Sequence, residues 1–362
     1  MNELSKTLSL IKKYCARKAT FPVLQNVLVE LVDGTMSLTA TNLQARASSS
    51  FPCVGNPFST TVNLEKLEKA TKDMNDPLAF AFVADRLTVS DGKARVILAT
   101  IPVEEFPPKP ESGELLGKLD LDGIERVCPF ATIDTDRPIL MHVLLEVEKG
   151  KVKFVACDGF KLGILERTTD LPDMKVLLLA TALSDLPKGY TKAKLFSGKD
   201  YVTLDFDGLV LTIKTPSDTY PNYNQIIPTS YNSKLVVKVK DWLDAIKPIK
   251  VFSDETDGMV RHSVTDNAMI VSAKDQDGNT IERMVGVVVD QLSPSFALND
   301  IHLIATLKAC SRENVTVKLL VPENRRTISE DTKDTPTSNP LVFEDGTDWR
   351  AVVMPMHLMK DW

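Results

Sequence analysis

Apolar and polar residues alternate along much of this chain, which is the pattern of β-strands with one buried face. The alternation is clear in Leu204–Lys214, LDFDGLVLTIK, where the central Asp-Gly predicts a tight hairpin turn. Other segments follow the period of a helix: Leu4–Lys18, Leu64–Met74, Leu121–Ile133, Thr181–Leu186, Val239–Phe252 and Asp300–Ala309. They do not alternate regularly with the strands, so the pattern predicts antiparallel α+β domains.

One long stretch of this pattern occurs twice. Residues 22–41, PVLQNVLVELVDGTMSLTAT, recur 116 positions later as residues 138–157, PILMHVLLEVEKGKVKFVAC. A fainter third copy contains Ala268–Asp275, AMIVSAKD. Because the spacing is about the size of a domain, we predict three similar domains at residues 1–116, 117–232 and 233–362.

Prolines mark further positions in the repeat. PVEEFP at residues 102–107 resembles PSDTYP at residues 216–221. Pro129 and Pro248 fall inside two of the helical segments, where the missing N–H predicts a bend in each. The polar stretch Pro322–Asn339 is predicted to be an exposed loop.

The composition is that of an ordinary globular protein, with 43% hydrophobic and 25% charged residues. The five cysteines are scattered and never form a CxxC pair, which argues against a disulfide framework or zinc cage and favours a reducing cytoplasm. Neither a signal-peptide core nor a membrane-spanning apolar run is found. The net charge of −6 argues mildly against nucleic acid, although an acidic outer surface can enclose a basic channel.

Catalytic motifs are missing from the sequence. The four histidines form no HExxH pair, and no GxSxG, Walker-type or GxGxxG segment occurs. Cys157-Asp158-Gly159 is better explained as a strand end followed by a turn than as a nucleophile. The acidic pairs Asp85/Asp91 and Asp134/Asp136 are likewise explained by turn chemistry. We therefore predict no catalytic residue, no metal and no cofactor.

The first helical segment has a basic face. Leu4, Leu8, Ile11 and Cys15 form an apolar stripe, with these residues opposite it: Lys6, Lys13 and Arg17. Such a face is suited to phosphates, but sequence alone favours a solvated helix surface. The second helical segment weakens the signal further, because its lysines are mixed with acids.

Four segments occur together in a characteristic order: FPVLQNVLVE with LTATN, RPILMHVLLEVEKGKVKFVACDGFKLG, TYPNYNQIIP and AVVMPMHL. Over essentially the whole chain they resemble the bacterial sliding clamps, the beta subunits of DNA polymerase III. The resemblance implies a homodimer that closes head to tail into a ring of six domains, each with two helices packed on antiparallel sheets. It also implies a ring that encircles double-stranded DNA, without sequence specificity, and tethers partners: the DNA polymerase III alpha subunit, the clamp loader and repair polymerases.

The family's residues transfer to positions of this chain. Those implied to face DNA are Lys6, Lys13, Arg17, Lys18 and Arg137. Short linear motifs of partners would bind a hydrophobic groove formed by Leu140, Cys157, Gly159, Phe160, Lys161, Leu162, Pro221, Ile226, Val352, Val353, Met354, Pro355, Met356, His357 and Leu358. Flexible methionines are suited to varied peptides.

The chain departs from the family in this groove. Phe160 stands where the family usually has His, and Lys161 and His357 stand where Arg is usual. We expect peptide binding with an altered motif preference, because two planar guanidinium groups are lost. The added tail Met359–Trp362 would either fold over the groove or fray.

Two other functions stay open at this point. One is a plasmid- or phage-type paralogue that binds partners without encircling DNA. The other is a β-rich hydrolase that uses Cys157 or His142.

Overall fold

The computed structural model describes residues 2–111, 113–265, 267–290, 294–321 and 339–357. Within these ranges the chain forms the helices α1 Glu3–Ile11, α2 Leu64–Thr71, α3 Ala180–Ser184, α4 Val239–Ser253 and α5 Asp300–Ala309. None of them is long and apolar enough to cross a membrane. Pro322–Pro336, most of the predicted loop, and the tail Met359–Trp362 lie outside the described residues.

The strands divide between two compact units. The first unit comprises Met1–Asp122, Thr169–Pro172 and Leu177–Ser217, and the second comprises Gly123–Thr168, Asp173–Val176 and Asp218–Trp362. The strands are β1 Asn26–Val32, β2 Thr35–Thr41, β3 Ala45–Pro52, β4 Phe58–Asn63, β5 Ala79–Val83, β6 Arg86–Ser90, β7 Arg95–Ile101, β8 Glu114–Asp120, β9 His142–Glu148, β10 Lys151–Cys157, β11 Lys161–Thr168, β12 Met174–Leu179, β13 Lys192–Ser197, β14 Tyr201–Phe206, β15 Leu209–Lys214, β16 Ser233–Lys238, β17 Met259–Val264, β18 Ala268–Lys274, β19 Thr280–Asp290, β20 Ser295–Asn299, β21 Asn314–Leu319, β22 Leu341–Glu344 and β23 Trp349–Val353.

Each unit is built on one large sheet. The strand order in the first unit is β5-β6-β7-β4-β1-β2-β3-β15-β14-β13-β8. The other sheet, which lies in the second unit apart from residues 177–179 of β12, has the order β12-β9-β10-β11-β23-β22-β21-β16-β19-β18-β17-β20. The pairings within both sheets are antiparallel, for example Leu28 opposite Thr39 and Leu162 opposite Val352. The predicted α+β class with antiparallel sheets is therefore confirmed.

The sequence repeat is visible in the element boundaries. The hairpin β1–β2 and the hairpin β9–β10 begin and end 116 residues apart, and β17–β18 begins 117 residues after β9. The segment Ala268–Asp275, which we assigned to the third copy, thus contains strand β18 at the expected position. In each copy a later strand leads directly into a helix, as β4 leads into α2, β12 into α3 and β20 into α5. Division of the chain into three domains stays a prediction.

Helix α1 begins where the sequence indicates and ends earlier. The Asn2 side chain accepts a hydrogen bond from the Ser5 N–H at 2.7 Å, which caps the helix. Leu4, Leu8 and Ile11 are fully buried, as predicted, and α1 packs against β2 and β3. Our extension of the helix to Lys18 was wrong, because the α-helix ends at Ile11 and a single 3₁₀ turn follows.

The two internal prolines behave differently. The helix predicted over Leu121–Ile133 was wrong, because this segment forms two 3₁₀ turns, Ile124–Arg126 and Cys128–Phe130. Pro129 lies in the second turn and cannot donate the hydrogen bond that a continued α-helix needs. Pro248 does not end α4, which continues to Ser253.

Candidate partner groove and DNA-facing residues

The predicted groove is built around the turn between β10 and β11 in the second unit. The Asp158 carboxylate accepts the backbone N–H groups of Phe160 and Lys161 at 2.9 and 2.8 Å. Gly159 has a φ of +96°, and a Cβ there would lie 3.1 Å from the Arg137 guanidinium. The positive φ favours glycine, and a Cβ would also crowd the Arg137 guanidinium. The Asp-Gly turn predicted from the sequence is confirmed.

Arg137 holds this turn from outside. Its Nη1 donates to the Asp158 carbonyl oxygen at 2.7 Å, and its Nε donates to the Asp134 carboxylate at 3.2 Å. The guanidinium is thus engaged by protein groups next to the groove, and the Asp134 carboxylate offsets its positive charge. That Arg137 faces DNA stays a prediction.

The C-terminal strand runs beside the turn. Strand β23 pairs with β11, so that Val353 lies opposite Lys161, and the Met354 N–H then donates to the Phe160 carbonyl oxygen at 2.8 Å. Two residues later, the Met356 N–H donates to the Ala297 carbonyl oxygen at 2.8 Å. These backbone bonds bring the predicted segment against the Phe160 turn.

The predicted groove residues differ in accessibility. Phe160, Pro221, Ile226 and His357 are exposed, and the half-buried residues are Leu140, Met354, Pro355 and Met356. Buried residues can shape a groove only from beneath, and these are Cys157, Lys161, Leu162, Val352 and Val353. Gly159 is exposed at the turn, and Leu358 lies outside the described residues.

Lys161 is committed to a buried ion pair. Its Nζ lies 2.5 Å from the Asp158 carboxylate and 5.7 Å from the centre of the Phe130 ring. Burial alone would raise the pKa of Asp158, but the hydrogen bond and charge of Lys161 hold that pKa below its ordinary value. The ammonium group therefore stabilises the turn and is not free to meet a ligand.

Phe160 rests on a residue that the sequence did not indicate. Its ring stacks on that of His302 in α5, with centroids 5.5 Å apart and planes 24° from parallel. The side chain of Phe160 nevertheless remains 55% exposed. Burial lowers the pKa of His302, although the nearby Asp158 opposes this, so the imidazole is neutral near pH 7.

Tyr220 is a second residue that sequence reasoning missed. Its hydroxyl accepts the Cys157 N–H at 3.0 Å and donates to the Cys157 sulfur at 3.4 Å. The only signal for it was the aromatic position of the repeated Pro-x-x-x-aromatic-Pro motif. The contact fixes the residue before Pro221 against the end of β10.

The environment of Cys157 and His142 argues against nucleophilic catalysis. Burial raises the pKa of the Cys157 thiol, so the thiolate needed for attack is disfavoured. His142 Nδ1 lies 2.9 Å from the Pro138 carbonyl oxygen, and burial lowers its pKa. Across the described residues, no group of three or more His, Cys, Asp or Glu side chains is placed to hold a metal ion.

The basic residues predicted to face DNA in the first unit are of two kinds. Lys6 pairs with Glu3 at 2.6 Å, and Lys13 lies 3.6 Å from Asp185. Arg17 and Lys18 follow the 3₁₀ turn rather than extending a helix face. Both are exposed, and no ion pair reaches either of them from the described part of the chain.

Comparison with known proteins gives the family. Residues 1–110 match the model of the DNA polymerase III beta subunit N-terminal domain, and residues 224–341 match that of its C-terminal domain. The chain belongs to the family of DNA polymerase III beta subunits.

Individual relatives cover nearly the whole chain. It is 26% identical over 342 residues to the beta sliding clamp of Synechococcus elongatus, covering 88% of this chain and 91% of that one. It is 27% identical over 378 residues to that of Pseudomonas putida, covering 98% of each. Its fold is similar to the DNA polymerase III beta subunit of Thermotoga maritima, with a TM-score of 0.85 at 20% identity over 99% of this chain and 98% of that one.

Proposed function

We propose that this protein is a sliding clamp: two copies join head to tail around duplex DNA and tether a replicative polymerase, without catalysing a reaction. The observation that carries this proposal is a strand junction that occurs twice within the chain. Among the described residues, it leaves two matching strand edges unpaired.

The two junctions join equivalent strands. In the first unit β3 pairs with β15, with Ala47 opposite Leu211. In the second unit β11 pairs with β23, with Gly163 opposite Ala351. Strand β11 is the copy of β3, 116 residues further on. The same kind of junction is therefore made twice by successive repeats.

The two strands that could form a third junction of this kind are present, but they are not paired with each other among the described residues. The copy of β11 in the third repeat is the first part of β19, and the copy of β15 in the first repeat is β7. Among the described residues, positions 280–286 of β19 pair only with β18, and positions 95–99 of β7 pair only with β6. Open edges present unpaired N–H and C=O groups that a second chain can pair with.

A second copy of the chain supplies the missing strand at each end. Edge β19 of one protomer would pair with edge β7 of its partner, and the reverse pairing would close the ring with six repeats. Two contacts of this kind, each between edge β19 of one protomer and edge β7 of the other, would give a closed homodimer.

The groove beside Phe160 is proposed to bind short linear motifs of the polymerase alpha subunit, the clamp loader and repair polymerases. Its support is the exposed Phe160 ring and the adjoining half-buried Met354 and Met356. An apolar wall with adaptable thioether side chains can accept related but unequal peptides. The full set proposed for this role is the groove set defined above.

DNA contact is proposed for Lys6, Lys13, Arg17, Lys18 and Arg137. Several of these cations already have acidic partners in the protein, which limits the affinity that each phosphate contact adds. Weak contacts of this kind, independent of sequence, let a ring slide. We place this function in the cytoplasm, with the five cysteines as free thiols.

Retention on DNA of different topology tests the proposal. A dimer of twice 40.0 kDa is expected in solution, and a steady monomer would favour the paralogue that does not encircle DNA. Loaded onto a nicked circular plasmid by a bacterial clamp loader, the protein should co-elute with the circle. It should leave when a restriction enzyme linearises the plasmid. Retention that survives linearisation would contradict a topological link.

A further inference from the structure

A basic loop with an exposed aromatic ring precedes β1 in the first unit. The basic loop comprises residues 16–21, ARKATF, and lies between the 3₁₀ turns Lys12–Tyr14 and Pro22–Gln25. Arg17 and Lys18 are exposed in it, and Phe21 is 65% exposed. Among the described residues, no other aromatic ring stacks on that of Phe21. An open phenyl ring and two cations thus share one short segment.

The ends of the basic loop are fixed to the body of the unit. The Ala16 N–H donates to the Leu24 carbonyl oxygen at 3.2 Å, and the Leu24 N–H donates to the Phe21 carbonyl oxygen at 3.1 Å. Ala16 and Ala19 pack against a buried cluster that contains Val23 and Leu24. The loop therefore turns its small residues inward and its ring and cations outward. A ring on an anchored backbone loses less conformational entropy when a ligand binds.

The corresponding segments of the other repeats have a different chemistry. In the second repeat, 116 residues further on, Asp134 takes the position of Lys18 and Arg137 takes the position of Phe21. The Arg137 guanidinium pairs with Asp134, so its charge is offset within the protein. In the third repeat the segment directly before β17, residues 254–257 (DETD), contains three acids. The combination of two cations with an aromatic ring is therefore a property of the first repeat.

This combination is the one that single-stranded nucleic acid requires. Unpaired bases stack on aromatic side chains, and Lys and Arg contact the phosphates that join them. In a duplex, neighbouring base pairs cover both faces of each base, so a side chain must first unstack them. Three residues separate Lys18 from Phe21, a backbone span of at most about 10 Å. A base and a nearby phosphate of one strand can thus be contacted together.

We infer that Phe21 stacks on a base of single-stranded DNA while Arg17 and Lys18 hold neighbouring phosphates of the same strand. The inference rests on the proposed function in one respect, the assignment of Arg17 and Lys18 to DNA, and it goes beyond that function by adding a single-stranded ligand. A protein with this site distinguishes a gap or a primer end from continuous duplex, because only unpaired bases offer an open face.

Binding of two oligonucleotides tests the inference with the full-length protein. One is a fluorescein-labelled thymidine oligonucleotide of about 16 nucleotides, and the other has the same backbone with abasic sites throughout. At low salt, where phosphate contacts are strongest, fluorescence anisotropy should show about fivefold or more tighter binding of the thymidine strand. Equal affinity for the two strands, or no binding of either, would overturn the inference.

Variants of the basic loop separate stacking from charge. Phe21→Ala should remove the preference for the thymidine strand, and Phe21→Tyr should keep it. Replacement of both Arg17 and Lys18 by Gln should weaken binding of both strands by a similar factor. Ile133→Ala is the matched control, because Ile133 is 87% exposed in the corresponding loop of the second repeat and should leave both affinities unchanged. A preference that survives Phe21→Ala would contradict stacking by Phe21.

A duplex distinguishes stacking from insertion between base pairs. Phe21→Ala should leave the affinity for a blunt duplex unchanged, because the bases of the duplex offer no open face to the ring. If Phe21→Ala weakens duplex binding as much as it weakens binding of the thymidine strand, the ring inserts into double-stranded DNA and the inference is wrong. All variants should keep the wild-type melting temperature, since the substituted side chains are exposed.

Retention on circular DNA shows whether the inference or the proposed function has failed. The Phe21→Ala variant should stay on the loaded circle and leave after linearisation, as the wild-type protein should. Equal affinity for the two oligonucleotides together with normal retention would contradict stacking alone. A clear preference for the thymidine strand in a protein that is not retained on circles would contradict the ring and leave the stacking site supported.

Discussion

The ring of Phe160 lies flat on the ring of His302, although 142 residues separate them in the chain. The imidazole supports one face of the phenyl ring and leaves more than half of the Phe160 side chain accessible. A side chain with one supported face and one open face is well suited to contact a ligand, because less side-chain entropy is lost on binding.

Removal of the Phe160 ring should therefore weaken peptide binding. We expect Phe160→Ala to lower affinity for a labelled clamp-binding peptide by about tenfold, through lost aromatic burial. Phe160→His should shift preference towards the motifs of typical family members. Fluorescence anisotropy measures both. Phe21→Ala is a matched control, because Phe21 is 65% exposed in the other unit and should leave affinity unchanged. An unaltered affinity in Phe160→His would argue against an altered groove.

Loss of the Lys161 ammonium should destabilise the second unit. Lys161→Met leaves the Asp158 carboxylate buried without its cation, at a cost of about 3 kcal/mol. Urea unfolding monitored by tryptophan fluorescence measures the change. Lys151→Met is the control, since the Lys151–Glu166 pair is exposed and contributes about 0.5 kcal/mol or less. Similar losses in the two variants would contradict the role given to the buried pair.

The same pair predicts how stability depends on pH. Because the pKa of Asp158 is lower in the folded protein than in the unfolded chain, its contribution is full above the unfolded value of about 4. The contribution is lost as the pH falls below that value through the folded pKa. The free energy of unfolding should therefore fall less between about pH 6 and about pH 3 in Asp158→Asn than in the wild-type protein. Urea unfolding midpoints measured across this pH range test the prediction. If the midpoint of Asp158→Asn depends on pH as steeply as that of the wild-type protein, the prediction is wrong.

Opposite charges should meet at the proposed ring junction. If β7 and β19 pair in the register of β15 and β3, Arg95 of one protomer lies opposite Glu282 of its partner. Either charge reversal, Arg95→Glu or Glu282→Arg, should raise the dimer dissociation constant about fivefold or more, and the double reversal should restore it. Sedimentation equilibrium gives these constants. Arg86→Glu, on the neighbouring strand β6, is the control, and no rescue in the double variant would reject this register.

The unpaired cations should dominate contact with DNA. Replacement of both Arg17 and Lys18 by Gln should shorten residence on a circular plasmid and reduce the slope of log affinity against log salt by about 1 to 2. Lys6→Gln should have less effect, because Lys6 already pairs with Glu3. Residence times over a range of salt concentrations measure this. If Lys6→Gln has a larger effect than the replacement of both Arg17 and Lys18, the Lys6–Glu3 ion pair must open when the protein contacts DNA.

Local patterns were sufficient for much of the fold. The apolar period of Leu4, Leu8 and Ile11 predicted the buried side of α1, and the repeat spacing predicted β18. Asp-Gly pairs predicted the turns at Gly159 and Gly208, both of which have positive φ. These features are determined by residues that are close together in the chain, so local sequence patterns are sufficient to predict them.

Other features depend on contacts between distant segments and carried no local signal. The apolar period around Pro129 predicted an α-helix, but the segment forms two 3₁₀ turns. Pro129 has no N–H to donate to a continuous α-helix. The support that His302 gives to Phe160 is made by an element that follows much later in the chain. Family resemblance pointed to Lys161 as a groove residue, whereas its burial beside Asp158 emerged only from the structure.

Backbone groups make the contacts between β3 and β15 and between β11 and β23, and those groups are the same in every residue type except proline. Substitutions can therefore accumulate along these strands without separating the repeats. The loss or gain of a single residue is different, because it turns every following side chain to the opposite face of the sheet. The junctions should thus tolerate extensive change in residue identity during evolution, while deletions and insertions are confined to the hairpin loops.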